Sequence, residues 1–267
     1  SVHSEKQRDR HTDVDQERPD APPKVLHAEP LYIDLIRDLG ARRGEKELNI
    51  GTGLSDKRRF DEILALVEYE WAPIDRLGLE VELPFKFYGL HSGGDRDSIP
   101  ENRLESLKMA TQWTFGVWPK AKLSMAVGAI YELELQSFRQ LRNDPVSGHL
   151  YNPFLVVAKA WGEQFHSLLY TGPRLHHADQ SLGFAYEAHL NLHWMIKNSR
   201  NFVGIETNSY FMDSDVDITI RPQMRLMISE GFLIGILGEI PIVRENTGLG
   251  AFCRFIIEPT ELGKKSH

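Results

Sequence analysis

The most constraining feature of this sequence is the strict alternation of residues 181–196, SLGFAYEAHLNLHWMI. One alternate set is apolar, whereas the other carries Glu187, His189 and His193. Successive side chains of a β-strand point to opposite faces, so the pattern predicts a strand with one apolar and one polar face. It is far longer than the ~5–6 residues of an ordinary strand. It indicates either a sandwich strand with a wet face or a membrane-barrel strand with lipid outside and a polar lumen inside.

The same alternation recurs along the chain and predicts about twelve strands. Two of them, 150–161 and 163–172, are ambiguous in phase because apolar residues occupy consecutive positions. The predicted strands are 47–54, 62–71, 77–88, 104–117, 122–136, 150–161, 163–172, 181–196, 202–212, 216–228, 232–243 and 248–258.

The connections between the strands alternate in length. Short turns are predicted at 72–76, 119–121, 161–163, 197–201 and 229–231, and longer loops near SDKRRFD, LHSGGDRDSIPENR, SFRQLRNDPVSGH and GPRLHHADQ. Short turns at one end and long loops at the other are typical of outer-membrane barrels. Tryptophans near strand ends on the short-turn side fit an interfacial aromatic girdle: Trp71, Trp118, Trp161 and Trp194. The fold predicted is an all-β, antiparallel up-and-down transmembrane β-barrel of about 12 strands.

Composition narrows the function classes. The net charge of −7 argues against nucleic acid as a partner. No apolar run approaches the ~20 residues of a spanning helix. The single cysteine, Cys253, provides no disulfide framework and no thiolate metal site.

Four segments are predicted. Residues 1–26 are charged and proline-containing, which is typical of a disordered or extended arm. Residues 27–46 are predicted to form a short amphipathic helix, residues 47–258 the barrel, and residues 259–267 a C-terminal tail.

The predicted helix would begin at Pro30 and stop at Gly40, with an apolar stripe of Leu31, Leu35 and Leu39. Since it precedes the first strand, we expect it on the periplasmic side. It would plug the lumen, pack on the base of the barrel or contact a partner protein.

The segment HAEPLYIDLIRDLGARRGEKELNIG, followed by VEYEWAPIDRLGLEVELPF, resembles a Gram-negative, Bacteroidetes-type family of outer-membrane β-barrels. Through APIDRLGLEVELPF the chain is also similar to transporter-like barrels attributed to phenol-degradation pathways. The resemblance covers residues 27–258. It implies an outer-membrane location with both termini in the periplasm, but no substrate and no residue-level motif.

Charged residues on the polar faces are predicted to line the lumen. Four of them, Glu68, Glu70, Glu80 and Glu82, flank the APIDR turn and should lie close together. They would either attract cations or be neutralised by lysines and arginines across the barrel. The complete predicted set is Glu68, Glu70, Glu80, Glu82, Lys108, Glu132, Glu134, Glu187, His189, His193, Glu206, Arg221, Arg225, Glu239 and Arg254.

The histidines provide no strong metal motif. Glu187, His189 and His193 share one face but span about 20 Å along a strand, so they cannot bind one ion together. His176 and His177 are predicted in a solvated outer loop. No histidine can be assigned to an apolar face, where outer-membrane lipid hydrolases carry theirs. We therefore expect no enzyme, no metal and no cofactor.

Three functions are consistent with these patterns. The first is a narrow channel or transporter for small solutes with a Glu/Arg-lined lumen. The second is a non-conducting structural or accessory subunit of a larger outer-membrane assembly, and the third is a soluble ligand-binding barrel. The expected partners are outer-membrane lipid and, through the arm and helix, other proteins.

Overall fold

The computed structural model describes residues 20–33, 35–57, 59–90, 99–178, 181–212, 215–243 and 247–259. They form a closed antiparallel β-barrel with twelve strands in its wall and one two-residue strand, β4, beside β3. The strands are β1 (Lys46–Asp56), β2 (Phe60–Ile74), β3 (Leu77–Leu90), β4 (Arg103–Leu104), β5 (Ser106–Trp118), β6 (Leu123–Leu135), β7 (Val146–Trp161), β8 (Phe165–Ala178), β9 (Ser181–Met195), β10 (Phe202–Met212), β11 (Asp215–Ser229), β12 (Phe232–Val243) and β13 (Gly250–Ile257).

The wall strands pair with their neighbours in sequence order, and β1 closes the barrel by pairing with β13 as well as with β2. The predicted meander of about twelve strands is therefore confirmed. In two places the predicted loops are wrong. β1 extends to Asp56 and β2 starts at Phe60, while β8 extends to Ala178 and β9 starts at Ser181, so both connections are short.

The two faces of the wall have opposite polarity. Phe184 and Trp194 on the outer face are 56% and 53% exposed, whereas Glu68 and Glu206 on the inner face are completely buried. This is the polarity of a membrane barrel and the reverse of a soluble one. Trp118, Trp161 and Trp194 lie on the outer face near the short turns, as the predicted girdle requires.

The amphipathic helix predicted over residues 27–46 is wrong. Arg37 and Gly40 have φ angles of 67° and 103°, which an α-helix cannot contain. The described part of this segment is irregular, with turns near residues 38–45. Residues 1–19 of the predicted arm and 260–267 of the predicted tail lie outside the described residues.

Across the described ranges, no helix has the length and apolar character needed to span a bilayer.

The outer face provides a test of membrane insertion. We expect Leu190→Arg, in the middle of β9, to lower the free energy of unfolding in lipid by about 2–4 kcal/mol, because the guanidinium would face hydrocarbon. The matched control is Leu249→Arg, in the segment before β13, where Leu249 is 69% exposed. Equal destabilisation by both substitutions, measured by urea unfolding in vesicles, would contradict a lipid-facing β9.

Candidate functional site

The interior of the barrel contains the chain's own N-terminal segment. Residues 27–33 and 35–45, hereafter the plug, run between the inner walls, and Ala28, Leu31, Leu35, Ile36 and Leu39 are at most 3% exposed. The plug therefore occupies the lumen, which was one of the places expected for this segment, although without the helix.

The backbone of the plug is hydrogen-bonded mainly by side chains of the barrel. Because the plug is not helical, its N–H groups need partners outside the segment. Each partner comes from a different strand. The amide of Ala28 donates to Nδ1 of His166 (2.9 Å), Leu31 to Oε1 of Gln223 (2.8 Å), Ile33 to Glu206 (3.0 Å), Arg37 to Glu70 (2.7 Å) and Gly40 to Oγ1 of Thr114 (3.0 Å).

Apolar contacts fix the plug between two opposite walls. Leu35, Ile36 and Leu39 pack on the wall formed by β5 to β8, where Phe154 and Leu168 point inwards. Leu31 and Ala28 pack instead on residues of β2, β10, β12 and β13. The leucines spaced as on a helix thus point in opposite directions. The phase of β7 and β8 is ambiguous in the sequence because both faces of these strands are apolar, one towards the outside and one towards the plug.

Two glycines of the inner wall leave space for the plug. A methyl group at Gly78 on β3 would overlap the carbonyl oxygen of Ile36, and one at Gly235 on β12 would overlap the side chain of Leu31. Since real Cβ atoms do not approach other atoms so closely, Gly78 can be replaced only if the backbone of the plug shifts, whereas at Gly235 the side chain of Leu31 would have to move.

Charged groups add further contacts between plug and wall. Arg225 binds Glu29 of the plug (3.0 Å), and the guanidinium of Arg221 stacks 3.4 Å from the ring centre of Tyr32. Within the plug region Lys24 binds Asp38 (2.5 Å). Burial lowers the pKa of Lys24, but the carboxylates of Asp38 and Glu45 outweigh it and raise that pKa. This ion pair therefore remains charged over the ordinary pH range.

The four glutamates beside the APIDR turn lie together, as predicted. Glu68 is opposite Glu82 and Glu70 opposite Glu80 across β2 and β3. Lys108 binds Glu80 and Glu82 (3.2 and 3.1 Å), Arg254 approaches Glu68 (3.4 Å), and Nδ2 of Asn49 donates to Glu68 and Glu70. Lys108 and Arg254 thus contact three of the four carboxylates, whereas Glu70 accepts hydrogen bonds from Asn49 and from the backbone N–H of Arg37. Lysine and arginine therefore offset part of the negative charge of this group.

Among the described residues, Glu68, Glu80 and Glu82 are the one group of three with the spacing to hold a metal ion. The ammonium of Lys108 already contacts two of these carboxylates. The three glutamates are therefore part of an ion-pair network rather than a vacant cation site.

The Glu187, His189 and His193 set divides between two environments. His189 contacts Glu187 (3.2 Å) next to the rings of Tyr170 and Tyr210, whereas His193 contacts Gln223 beneath the plug (3.1 Å). Arg174 also approaches Glu187 (3.5 Å). These residues connect strands rather than converge on one ligand.

The remaining predicted lumen residues also project into the barrel. Lys108, Glu132 and Glu134 lie on β5 and β6, and Glu239 binds Arg221 (3.1 Å). Burial inside the barrel is complete or nearly so for Glu68, Glu70, Glu80, Glu82, Glu187, His189, His193, Glu206, Arg221, Arg225 and Arg254.

The predicted position of His176 and His177 is wrong, because both lie within β8. His176 faces inwards and binds Glu134 (2.7 Å), whereas His177 faces outwards opposite His149 of β7. Histidines therefore do occur on the outer face, which the sequence pattern did not reveal.

Two cavities lie on either side of the plug. The first, about 430 Å³, is bounded by Tyr32 and Ile33 of the plug and by residues at the end of the barrel opposite the turns at 119–121 and 162–164, including Lys57 and Gly248. The second, about 710 Å³, is bounded by the other side of the plug and by the short turns around Gly162 and Arg200. The plug thus separates the two cavities. We call the first the outer vestibule and the second, at the short-turn end, the inner vestibule.

The predicted lumen set contains some of the residues that bind the plug, among them Glu70, Glu206 and Arg225. It lacks others, which are polar inner-face residues without a motif: His166, Gln223, Gln112 and Thr114. Gln112 donates to the carbonyl oxygen of Arg37 (2.8 Å). The apolar inner faces of β7 and β8 were the available signal, because a water-filled lumen does not require them.

Substitution of a space-making glycine tests the docking of the plug. We expect Gly78→Ala to displace the plug and to accelerate tryptic cleavage at Arg42, which is 8% exposed in the docked state. Gly89→Ala on the same strand is the matched control, since the nearest atom to its new methyl group is 3.9 Å away. Cleavage at the wild-type rate in Gly78→Ala would contradict tight docking.

Acid should weaken the docking of the plug through His27. Its ring contacts Oγ of Ser124 (2.9 Å), and burial, followed by the neighbouring His166, lowers the pKa of His27 to about 4. An undocked histidine has a pKa of about 6.5, so docking is strongest above that pH and weakens as the pH falls towards 4. Hydrogen-exchange protection of the Ala28 amide, corrected for intrinsic rate, should fall over this range. Constant protection would contradict the prediction, and His27→Gln should reduce the dependence.

A family model described as HAEPLYID-like matches residues 23–258. The letters HAEPLYID are residues 27–34 of this chain, and residues 27–33 form the first part of the plug. Among curated proteins, none matches the sequence.

Solved structures with a similar fold are outer-membrane channels. The COG4313 outer membrane channel from Pseudomonas putida F1 is 11% identical with a TM-score of 0.65, covering 83% of this chain and 98% of that chain. The KdgM porin is 11% identical with a TM-score of 0.54, and the NanC porin 9% with 0.55; each match covers 79% of this chain and 98% of the other. At these identities the likeness shows the fold alone, which is that of a porin-like barrel.

Proposed function

Because the chain belongs to the HAEPLYID-like family and has the fold of a porin-like barrel, we propose that it is a plugged channel for small polar solutes. We place it in the outer membrane of a Gram-negative bacterium, with the short turns and both termini on the periplasmic side. The proposal includes no catalytic step and no cofactor.

The observation that carries the proposal is the position of the plug between two cavities. A purely structural barrel would need no vestibule on either side of a closed centre. Here a cavity of about 430 Å³ and one of about 710 Å³ face opposite ends of the barrel, and residues 27–45 close the path between them. Movement of this one segment would join the two vestibules into a continuous pore.

The charges of the outer vestibule bear on its selectivity. Among the described residues that line it, six side chains are cationic and six acidic, so their formal charges balance. We therefore propose weak ion selectivity instead of a strong preference for cations.

The alternative is a non-conducting accessory subunit. It is favoured by the number of strands that anchor the plug, since β2, β5, β8, β10 and β11 each accept a hydrogen bond from its backbone. In that case residues 1–26 would contact a partner protein.

Planar-bilayer recordings distinguish the two functions. We expect the full chain to be closed most of the time and a chain lacking residues 1–43 to conduct steadily, because the truncation removes most of the plug. The matched control lacks residues 1–19 only, which precede the described plug region, and should remain closed. Silence of both truncated chains, with a folded heat-modifiable barrel on a gel, would favour the accessory subunit.

A further inference from the structure

Two histidines form a pair on the outer surface of the barrel near the long-loop end. His149 of β7 is directly opposite His177 of β8, and their ring centroids are 6.4 Å apart at an angle of 34°. His177 is exposed and His149 half-buried. Directly opposite residues of antiparallel strands have Cβ atoms about 4.5–5.5 Å apart, so both rings can turn towards one small ligand.

A third side chain orients one of the two rings. The hydroxyl of Tyr131 on β6 is hydrogen-bonded to Nδ1 of His149 (2.9 Å). This contact fixes the ring and leaves Nε2 of His149 as the nitrogen without a partner among the described residues. Histidines that bind metals almost always have the other ring nitrogen hydrogen-bonded in this way.

The two histidines lie where the pairing between β7 and β8 is interrupted. Pairing of β7 with β8 is interrupted between Tyr151–Leu175 and Leu155–Thr171, where Pro153 faces Pro173. Proline has no N–H to contribute to a ladder. Beyond the interruption, only three residue pairs hold the outer part of this seam, and His149–His177 is the outermost of them.

We propose that His149 and His177 form a binding site for one divalent transition-metal ion such as Zn²⁺. Imidazole nitrogens are good ligands for Zn²⁺, Cu²⁺ and Ni²⁺. Two imidazoles would bind the ion and water would complete its coordination. The ion would link β7 to β8 beyond the proline interruption and stabilise that part of the seam. The site is separate from the plug and from both vestibules, so it does not depend on conduction.

Calorimetric titration of the full, detergent-folded chain with Zn²⁺ after chelator treatment tests the site. We expect one saturable site that is lost in both His149→Gln and His177→Gln. The matched control is His176→Gln, which removes the adjacent, inward-facing histidine bound to Glu134 and should keep the site. Tyr131→Phe, which removes the orienting hydroxyl, should weaken binding about tenfold.

The variants show whether Zn²⁺ binds at His149 and His177 or elsewhere on the chain. The chain has eleven histidines, so binding that persists in both His149→Gln and His177→Gln would place the ion elsewhere and overturn the proposal. Absence of saturable binding to the wild type would overturn it as well. Both variants change surface residues, and a heat-modifiability gel confirms that they fold. Addition of Zn²⁺ should raise the Tm of the wild type and of His176→Gln but not that of His149→Gln or His177→Gln.

Discussion

The backbone of an irregular segment inside a barrel can satisfy few of its hydrogen bonds by itself, and this constraint determines the arrangement of the interior. Buried N–H groups without partners are strongly destabilising, so each one needs an acceptor where no bulk water is available. Here the acceptors are side chains of five different strands, including the carboxylates of Glu70 and Glu206. Those carboxylates in turn are held by Asn49, Asn208 and Gln223. The polar network of the wall and the conformation of the plug therefore depend on one another.

Apolar packing gives the same segment its direction. Leu31 is directed to one wall, and Leu35, Ile36 and Leu39 to the other, so the plug is positioned by opposing contacts instead of lying against one side. Gly78 and Gly235 provide the space at two points of close approach. Hydrogen bonds specify the course of the backbone, while these contacts specify which way the side chains point. A plug held by hydrogen bonds alone, or by apolar contacts alone, would have more than one possible position in the barrel.

The sequence predicts the strands of the wall but not the contacts of the plug, because only the strands leave a local pattern. Alternation identifies the strands and their polar faces because it depends only on local geometry, and residues 202–212 and 232–243 were predicted with the observed bounds. The spacing of Leu31, Leu35 and Leu39 predicts a helix, because nothing local shows that their partners lie on opposite walls. His166, Gln223 and Thr114 carry no motif, since an acceptor for a backbone amide can be almost any polar residue. The outward position of His177 depended on the length of β8, which the sequence underestimates.

The strength of the anchoring would limit how the proposed channel opens. A typical hydrogen bond contributes about 0.5–1.5 kcal/mol net, so the five backbone anchors alone amount to several kcal/mol before apolar contacts are counted. Shifting a closed state from 99:1 to 1:99 requires about 5.5 kcal/mol of differential binding. Of the described plug residues, Tyr32 and Ile33 line the outer vestibule, and Arg221 of the wall stacks on Tyr32. In the proposed channel, a solute that opens the pore by itself would therefore have to act through such contacts and bind the open state far more tightly than the closed one.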